Sequence, residues 1–98
     1  NEPGIYLTGK YGIRCENLML TVPAFTTDFA RFLKFDTVTL FPFDLRLVDT
    51  AMLTDEELRW LNEYHKRVHD TLSPCLDEKG RAWLDHKTRP LTKNEYSD

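Results

Sequence analysis

Several features are missing from this 98-residue chain, and each absence excludes something. No apolar run reaches transmembrane length and no secretory leader is present. No basic stretch is interleaved with aromatics, and the net charge is −3, which argues against a nucleic-acid surface. There are only two cysteines, Cys15 and Cys75, in different segments. Their number permits a disulfide, but without secretory features reduced, partly buried thiols are the expectation, and the cytoplasm is the default location. Low-complexity segments and internal repeats are absent. What is present suffices for a core: 41% of residues are hydrophobic and twelve are aromatic. The length suits one domain, or the end of one domain plus an extension.

The densest chemistry lies in residues 1–17. Glu2 and Glu16 are separated by fourteen positions with Gly9 at the midpoint. If the chain reverses at Gly9, position i faces position 18 − i, and Glu2 faces Glu16 across an antiparallel pair. Directly opposed Cβ atoms lie roughly 4.5–5.5 Å apart, and like charges there repel. Such a pair requires a cation between the carboxylates, a shared proton, or water around both. Carboxylate oxygens are hard ligands suited to Mg, Mn and similar divalent ions. Arg14, two residues before Glu16, points to the same face and would keep a carboxylate ionised. Gly4, opposite Arg14, leaves room above the backbone. Thr8-Gly9-Lys10 has the composition of a three-residue hairpin loop, and Gly12 has that of a bulge, which would alter the register. Two solvated surface charges are the plainer reading of the glutamates. The next run, Leu18-Met19-Leu20-Thr21-Val22, favours ligation: it reads as a strand covered on both faces, so that Glu16 enters a buried strand.

Further along, residues 2–8 and 12–22 are expected to form one hairpin, ended by Pro23. Thr26-Thr27-Asp28 caps either a short helical turn carrying Phe25, Phe29, Phe32 and Leu33 or a long surface loop. Residues 35–41 read as a strand returning beside the second, stopped by Pro42. Residues 43–52 read as an irregular connection packed on the sheet. Thr54-Asp55-Glu56-Glu57 is a capping box. It opens a helix with an apolar stripe of Leu58, Leu61, Tyr64, Val68 and Leu72, ended at Ser73-Pro74. A second helix is predicted from Asp77 to Lys87 or Thr88, packing Trp83 and Leu84, with residues 92–98 frayed.

Asn1-Glu2-Pro3-Gly4-Ile5-Tyr6 followed by Gly12-Ile13-Arg14-Cys15-Glu16-Asn17 resembles the creatinase/aminopeptidase P family of "pita-bread" metallopeptidases. The resemblance continues through Phe35–Leu40, Pro42-Phe43-Asp44, Leu53–Glu57, Trp60–His65, Leu72-Ser73-Pro74, Ala82-Trp83-Leu84 and Thr88–Leu91. It implies an α+β fold: residues 1–42 as closing antiparallel strands of the catalytic domain, and residues 43–98 as the small helical C-terminal extension of long Xaa-Pro aminopeptidases. It implies hydrolysis of the N-terminal Xaa–Pro bond of proline-containing peptides with two divalent metal ions, commonly Mn2+. By motif, Glu2 matches the glutamate that ligates one metal and takes part in proton transfer, Glu16 the glutamate that bridges both, and Arg14 the arginine supporting them. The family's two aspartate ligands and its histidine belong upstream of Glu-Pro-Gly. The chain is therefore expected to be a C-terminal fragment, inactive by itself. Asp28, Asp36, Asp44 and Asp49 lie outside those motifs and inherit no role. Homodimerisation is implied for the parent. The alternative is a non-catalytic assembly module or a pseudoenzyme fragment of the same fold.

Other residues yield less. His65 and His69 stand one helical turn apart, but Lys66 occupies the position where a zinc-peptidase motif needs Glu. They are expected on a helix face, partly exposed. Cys75 lacks any sign of thiolate activation, and Ser73 lacks a nucleophile elbow. Trp60 and Trp83 read as core, and Tyr6 and Tyr11 as packing or as pocket lining.

Overall fold

The computed structural model describes residues 1–93. It is α+β, with four strands, two α-helices and three short 3-10 turns. The chain divides into two compact units, Asn1–Thr39 and the part from Leu40 onward.

The first unit consists of two separate two-stranded antiparallel sheets. In the first, β1 (Gly4–Leu7) pairs with β2 (Tyr11–Arg14) in the register Gly4↔Arg14, Ile5↔Ile13, Tyr6↔Gly12, Leu7↔Tyr11. That is the i to 18 − i register, and no bulge forms at Gly12. The loop closes as anticipated: the Lys10 N–H donates to the Leu7 carbonyl at 2.9 Å, and Gly9 has φ 72°. Positive φ at the third residue of such a turn is the condition glycine satisfies without steric cost.

The second strand does not run on to Val22. It stops at Arg14, and Met19–Thr26 forms β3, paired instead with β4 (Arg31–Thr37). Pro23 does not end β3 either. It is accommodated where the register shifts between Pro23 and Phe25, because a bulge spares a residue that has no N–H to donate. Of the two alternatives at Thr26-Thr27-Asp28, the helical turn is not formed; the segment is a short hairpin loop between β3 and β4. The Thr27 hydroxyl accepts from the amides of Phe29 at 3.2 Å and Ala30 at 3.3 Å, and the Thr27 N–H donates to the Ala30 carbonyl at 2.9 Å. Side-chain capture of nearby amides is how Ser and Thr divert the backbone from helix. Phe25 and Phe32 then stack across the strands, with ring centroids 4.7 Å apart.

The second unit is built on α1 (Asp55–Leu72). Its capping box is complete: the Thr54 hydroxyl accepts from the Glu57 N–H at 3.1 Å, and the Glu57 carboxylate accepts from the Thr54 N–H at 2.8 Å. After Leu72, Ser73–Cys75 turn as a 3-10 helix, and Asp77 caps α2 (Glu78–Lys87) by accepting from the Gly80 N–H at 2.7 Å. Two clusters form the core. Leu45, Leu58, Leu61 and Leu91 gather Phe43, Val48 and Leu53, while Tyr64, Val68 and Leu84 gather Leu40, Phe43, Leu72 and Leu76. The connection 43–52 therefore finds its apolar partners on α1, through 3-10 turns at Leu45–Leu47 and Thr50–Met52. Trp60 and Trp83 are half exposed rather than core; each lends one ring face, Trp60 stacking on Tyr64 at 5.3 Å and Trp83 tilting against Phe41 at 6.1 Å. The expectation of fraying at the C-terminus falls mostly on residues 94–98, outside the described residues.

Candidate metal-ligating face of the first hairpin

Pairing of the first hairpin extends beyond the strand ends. The Cys15 N–H donates to the Pro3 carbonyl at 3.0 Å, and the Asn17 N–H to the Asn1 carbonyl at 3.0 Å. The Asn1 amino group returns a bond to the Asn17 carbonyl at 3.1 Å. Residues 1 and 17 thus exchange backbone bonds, and so the pair between them and 3/15, Glu2 and Glu16, is of the non-hydrogen-bonded kind. In such pairs the Cα atoms approach to about 4.5 Å and side chains are closest. Alternation then places Glu2, Gly4 and Tyr6 of one strand on the same face as Gly12, Arg14 and Glu16 of the other.

That face is organised around a cation. Arg14 Nε lies 3.0 Å from Glu16 Oε2. The guanidinium is raised above its ordinary proton affinity, first by a hydrogen bond with the Tyr6 hydroxyl, then by the charges of Glu16 and, more weakly, Glu2. The tyrosine ring lies diagonally over both glycines. A Cβ on Gly4 would stand 2.6 Å from the Tyr6 hydroxyl oxygen, and one on Gly12 would stand 2.7 Å from Tyr6 Cδ1. Gly12 is thus a site of close ring approach rather than a bulge. The arrangement leaves two carboxylates against one guanidinium, a net negative face of hard oxygen donors, which is the composition that suits a divalent cation. Among the described residues no group of three or more His, Cys, Asp or Glu side chains converges.

Glu16 is not in a buried strand. It precedes β3, its side chain is half exposed, and Leu18 and Leu20 are exposed as well. The apolar run was legible, but among the described residues nothing covers Leu18 and Leu20. Tyr6 is the residue whose part the sequence left undecided. The available signal was its position on one face with a glycine to either side, Gly4 and Gly12.

The remaining candidates fall away from chemistry. Asp44 caps the turn after Phe43. It accepts from the Arg46 N–H at 3.1 Å and takes the Arg46 guanidinium on both oxygens, at 2.9 and 2.7 Å. Those bonds lower its carboxyl to about 2. Cys15 and Cys75 are exposed free thiols, not partly buried ones. His65 is completely buried, contrary to expectation, and His69 is partly exposed between two aspartates.

Residues 31–91 match the model of the C-terminal region of peptidase M24. The chain belongs to this family. Proteins similar to it include Xaa-Pro aminopeptidases. Xaa-Pro aminopeptidase 1 of Dictyostelium discoideum is 37% identical over 97 residues, 93% of this chain and 15% of that protein. A probable Xaa-Pro aminopeptidase P of Arthroderma benhamiae is 42% identical over 96 residues, 93% of this chain and 14% of that protein. The crystal structure of an X-prolyl aminopeptidase from Caenorhabditis elegans, described as a cytosolic enzyme with a di-nuclear active site, superposes with a TM-score of 0.79. It is 40% identical, covering 92% of this chain and 15% of that one. The chain thus corresponds to the C-terminal region of Xaa-Pro aminopeptidases and spans about 15% of the length of these relatives.

Proposed function

We propose that this chain is the C-terminal part of an aminopeptidase that hydrolyses the N-terminal Xaa–Pro bond of peptides at a two-metal centre, to which it contributes Glu2 and Glu16. The observation that carries this reading is the placement of those carboxylates on one hairpin face, with Arg14 fixed to Glu16 at 3.0 Å. In this reading residues 1–42 belong to the catalytic domain and residues 43–98 to its helical extension; the chain's two compact units meet nearby, between Thr39 and Leu40. Two divalent ions, Mn2+ in this proposal, would when bound supply a water of lowered pKa and stabilise charge developing on a carbonyl.

The chain's own residues have separate tasks. Glu16 would help hold the ions through its carboxylate, which Arg14 orients from 3.0 Å. The Tyr6 hydroxyl, on the same face, favours the charged form of Arg14. Glu2 would help hold one ion through its carboxylate and would serve as proton acceptor in the reaction. The substrate is a peptide with proline in second position, and the parent acts in the cytoplasm as a homodimer. The 98-residue chain alone is inactive, because two carboxylates cannot fill two coordination spheres.

The test is Glu2→Gln and Glu16→Gln in the full-length protein. Each should abolish Xaa–Pro cleavage and lower bound metal, while oligomeric state and helix content persist. Unchanged activity and metal content in both variants would refute the assignment. A non-catalytic assembly role is the second reading. It is favoured by the exposed Ile5, Tyr11, Ile13 and Leu20, and retained function of both variants in assembly without any peptidase activity in the parent would select it.

A further inference from the structure

The second unit carries two histidines one helical turn apart whose surroundings demand opposite protonation states. His65 is fully buried. Its Nε2 lies 3.0 Å from the Phe43 N–H, which must donate. Nε2 is therefore the unprotonated nitrogen of a neutral ring. Nδ1, which carries the proton, is buried with no hydrogen-bond partner among the described residues. Phe43 and Tyr64 flank the ring, with centroids 6.2 and 5.9 Å away. Beside it the Tyr64 hydroxyl takes the Phe41 N–H at 3.4 Å and donates to the Phe41 carbonyl at 3.2 Å. Two consecutive α1 side chains thus tie segment 41–43 to the helix.

His69 is the converse. Its Nδ1 faces Asp70 at 3.2 Å and its Nε2 faces Asp85 of α2 at 2.5 Å. A carboxylate accepts only, so the ring must donate from both nitrogens, as imidazolium alone does. Lys66 pairs with Asp70, and Glu63, Arg89 and Asp85 line the same groove.

We infer that His65 and His69 form an opposed pH latch on α1, the first holding segment 41–43 only while neutral and the second holding α2 only while protonated. The signs follow from the surroundings. Burial alone pushes His65 below 6.5, and no charged side chain contributes. Its proton is therefore taken up first by the unfolded chain, and stability falls as pH drops below 6.5. The bonds to Asp85 and then Asp70 push His69 above 6.5. Its contribution is complete below 6.5 and is lost as pH rises through the raised value. Asp44 and Asp70 are both lowered from 3.8, so they act in a more acidic range. The two histidines therefore give the helical unit opposed limbs, His65 losing its contribution toward acid and His69 toward alkali.

The test is an NMR titration of the ring carbons of the histidine-labelled 98-residue chain between about pH 5 and 8, combined with thermal unfolding over the same range. The expected result is His69 titrating above 6.5, His65 below it, and a bell-shaped melting profile. His65→Gln, which keeps an acceptor for the Phe43 N–H but does not titrate, should remove the acid limb. His69→Gln should remove the alkaline limb. If His65, His69 and His86 titrate together, the inference is overturned, and that measurement decides even if a variant does not fold. A melting profile that is monotonic in the wild type overturns it equally.

Discussion

Arg14 stands directly across the hairpin from Gly4, and the ring of Tyr6 fills the space that a side chain on Gly4 would take. The glycine is thus a condition for the Tyr6 ring lying over this face, the face that also carries Arg14 and Glu16. Gly4→Ala places a methyl 2.6 Å from the Tyr6 hydroxyl oxygen. Tyr6 is largely exposed, so its ring can swing aside and the hairpin survives. In the full-length protein we expect Gly4→Ala and Tyr6→Phe to weaken metal binding and peptidase activity about 10–100-fold, as removal of a group that orients a ligand typically does. Arg14→Lys should fall in the same range, because an ammonium lacks the directed, planar donor geometry with which the guanidinium meets Glu16. Metal content by equilibrium dialysis, with circular dichroism as a check on folding, distinguishes this from simple unfolding.

The capping box at the start of α1 gives a stability prediction independent of any catalytic role. Thr54→Ala removes the acceptor of the Glu57 N–H and frees the Glu57 carboxylate from its return bond. The expected cost is about 1 kcal/mol, measured by urea unfolding, and Thr54→Ser should restore most of it.

Asn62 reads the backbone of a buried residue. Its amide donates to the Leu91 carbonyl and accepts the Leu91 N–H, both at 2.9 Å. Leu91 is 3% exposed, so water cannot replace either bond. Asn62→Ala should therefore cost about 1–3 kcal/mol, the range for buried polar groups left unsatisfied. Asn62→Asp, which keeps the acceptor but not the donor, should fall between. A change within the noise of chemical denaturation for Asn62→Ala would mean that the chain after Thr88 is not pinned here.

The hairpin register, the capping box, the helical stripe of α1 and the α2 start were legible because each is set by neighbours in sequence: Gly9 for the turn, Thr54 with Glu57 for the cap, Asp77 for the second cap. What was not legible depends on which strand takes which partner. The run 12–22 satisfies strand preference throughout, and only the pairing of Met19–Thr26 with Arg31–Thr37 splits it in two. The Phe25, Phe29 and Phe32 spacing matches a helix as well as a hairpin; the Thr27 hydroxyl decides between them. His65 was misplaced because the burial of a helical residue depends on what crosses it, here segment 41–43, and periodicity marks a face without naming the chain that covers it. At the site, the positions of Glu2, Glu16 and Arg14 followed from the turn alone, whereas the part taken by Tyr6 required knowing that its ring lies over two glycines.

Asp44 supplies the last prediction, one of acid stability. Its carboxyl is lowered from 3.8 to about 2, chiefly by the side-chain bonds from Arg46 and then by the Arg46 N–H. A carboxylate depressed in the folded state contributes stability that is fully present above its unfolded value and is lost as pH falls through the folded one. The Asp44 contribution should therefore be intact above about pH 4 and disappear between there and about pH 2. Because Asp44 and Arg46 are solvent-accessible, the effect should shrink with added salt. Asp44→Asn retains an acceptor for the Arg46 N–H but cannot ionise. It should remove the Asp44 share of the acid-side loss while leaving the neutral-pH fold intact. Melting temperatures recorded between pH 2 and 5 at low and high salt would check this, and an acid limb identical in wild type and Asp44→Asn would show that the turn at Leu45–Leu47 does not depend on the ion pair.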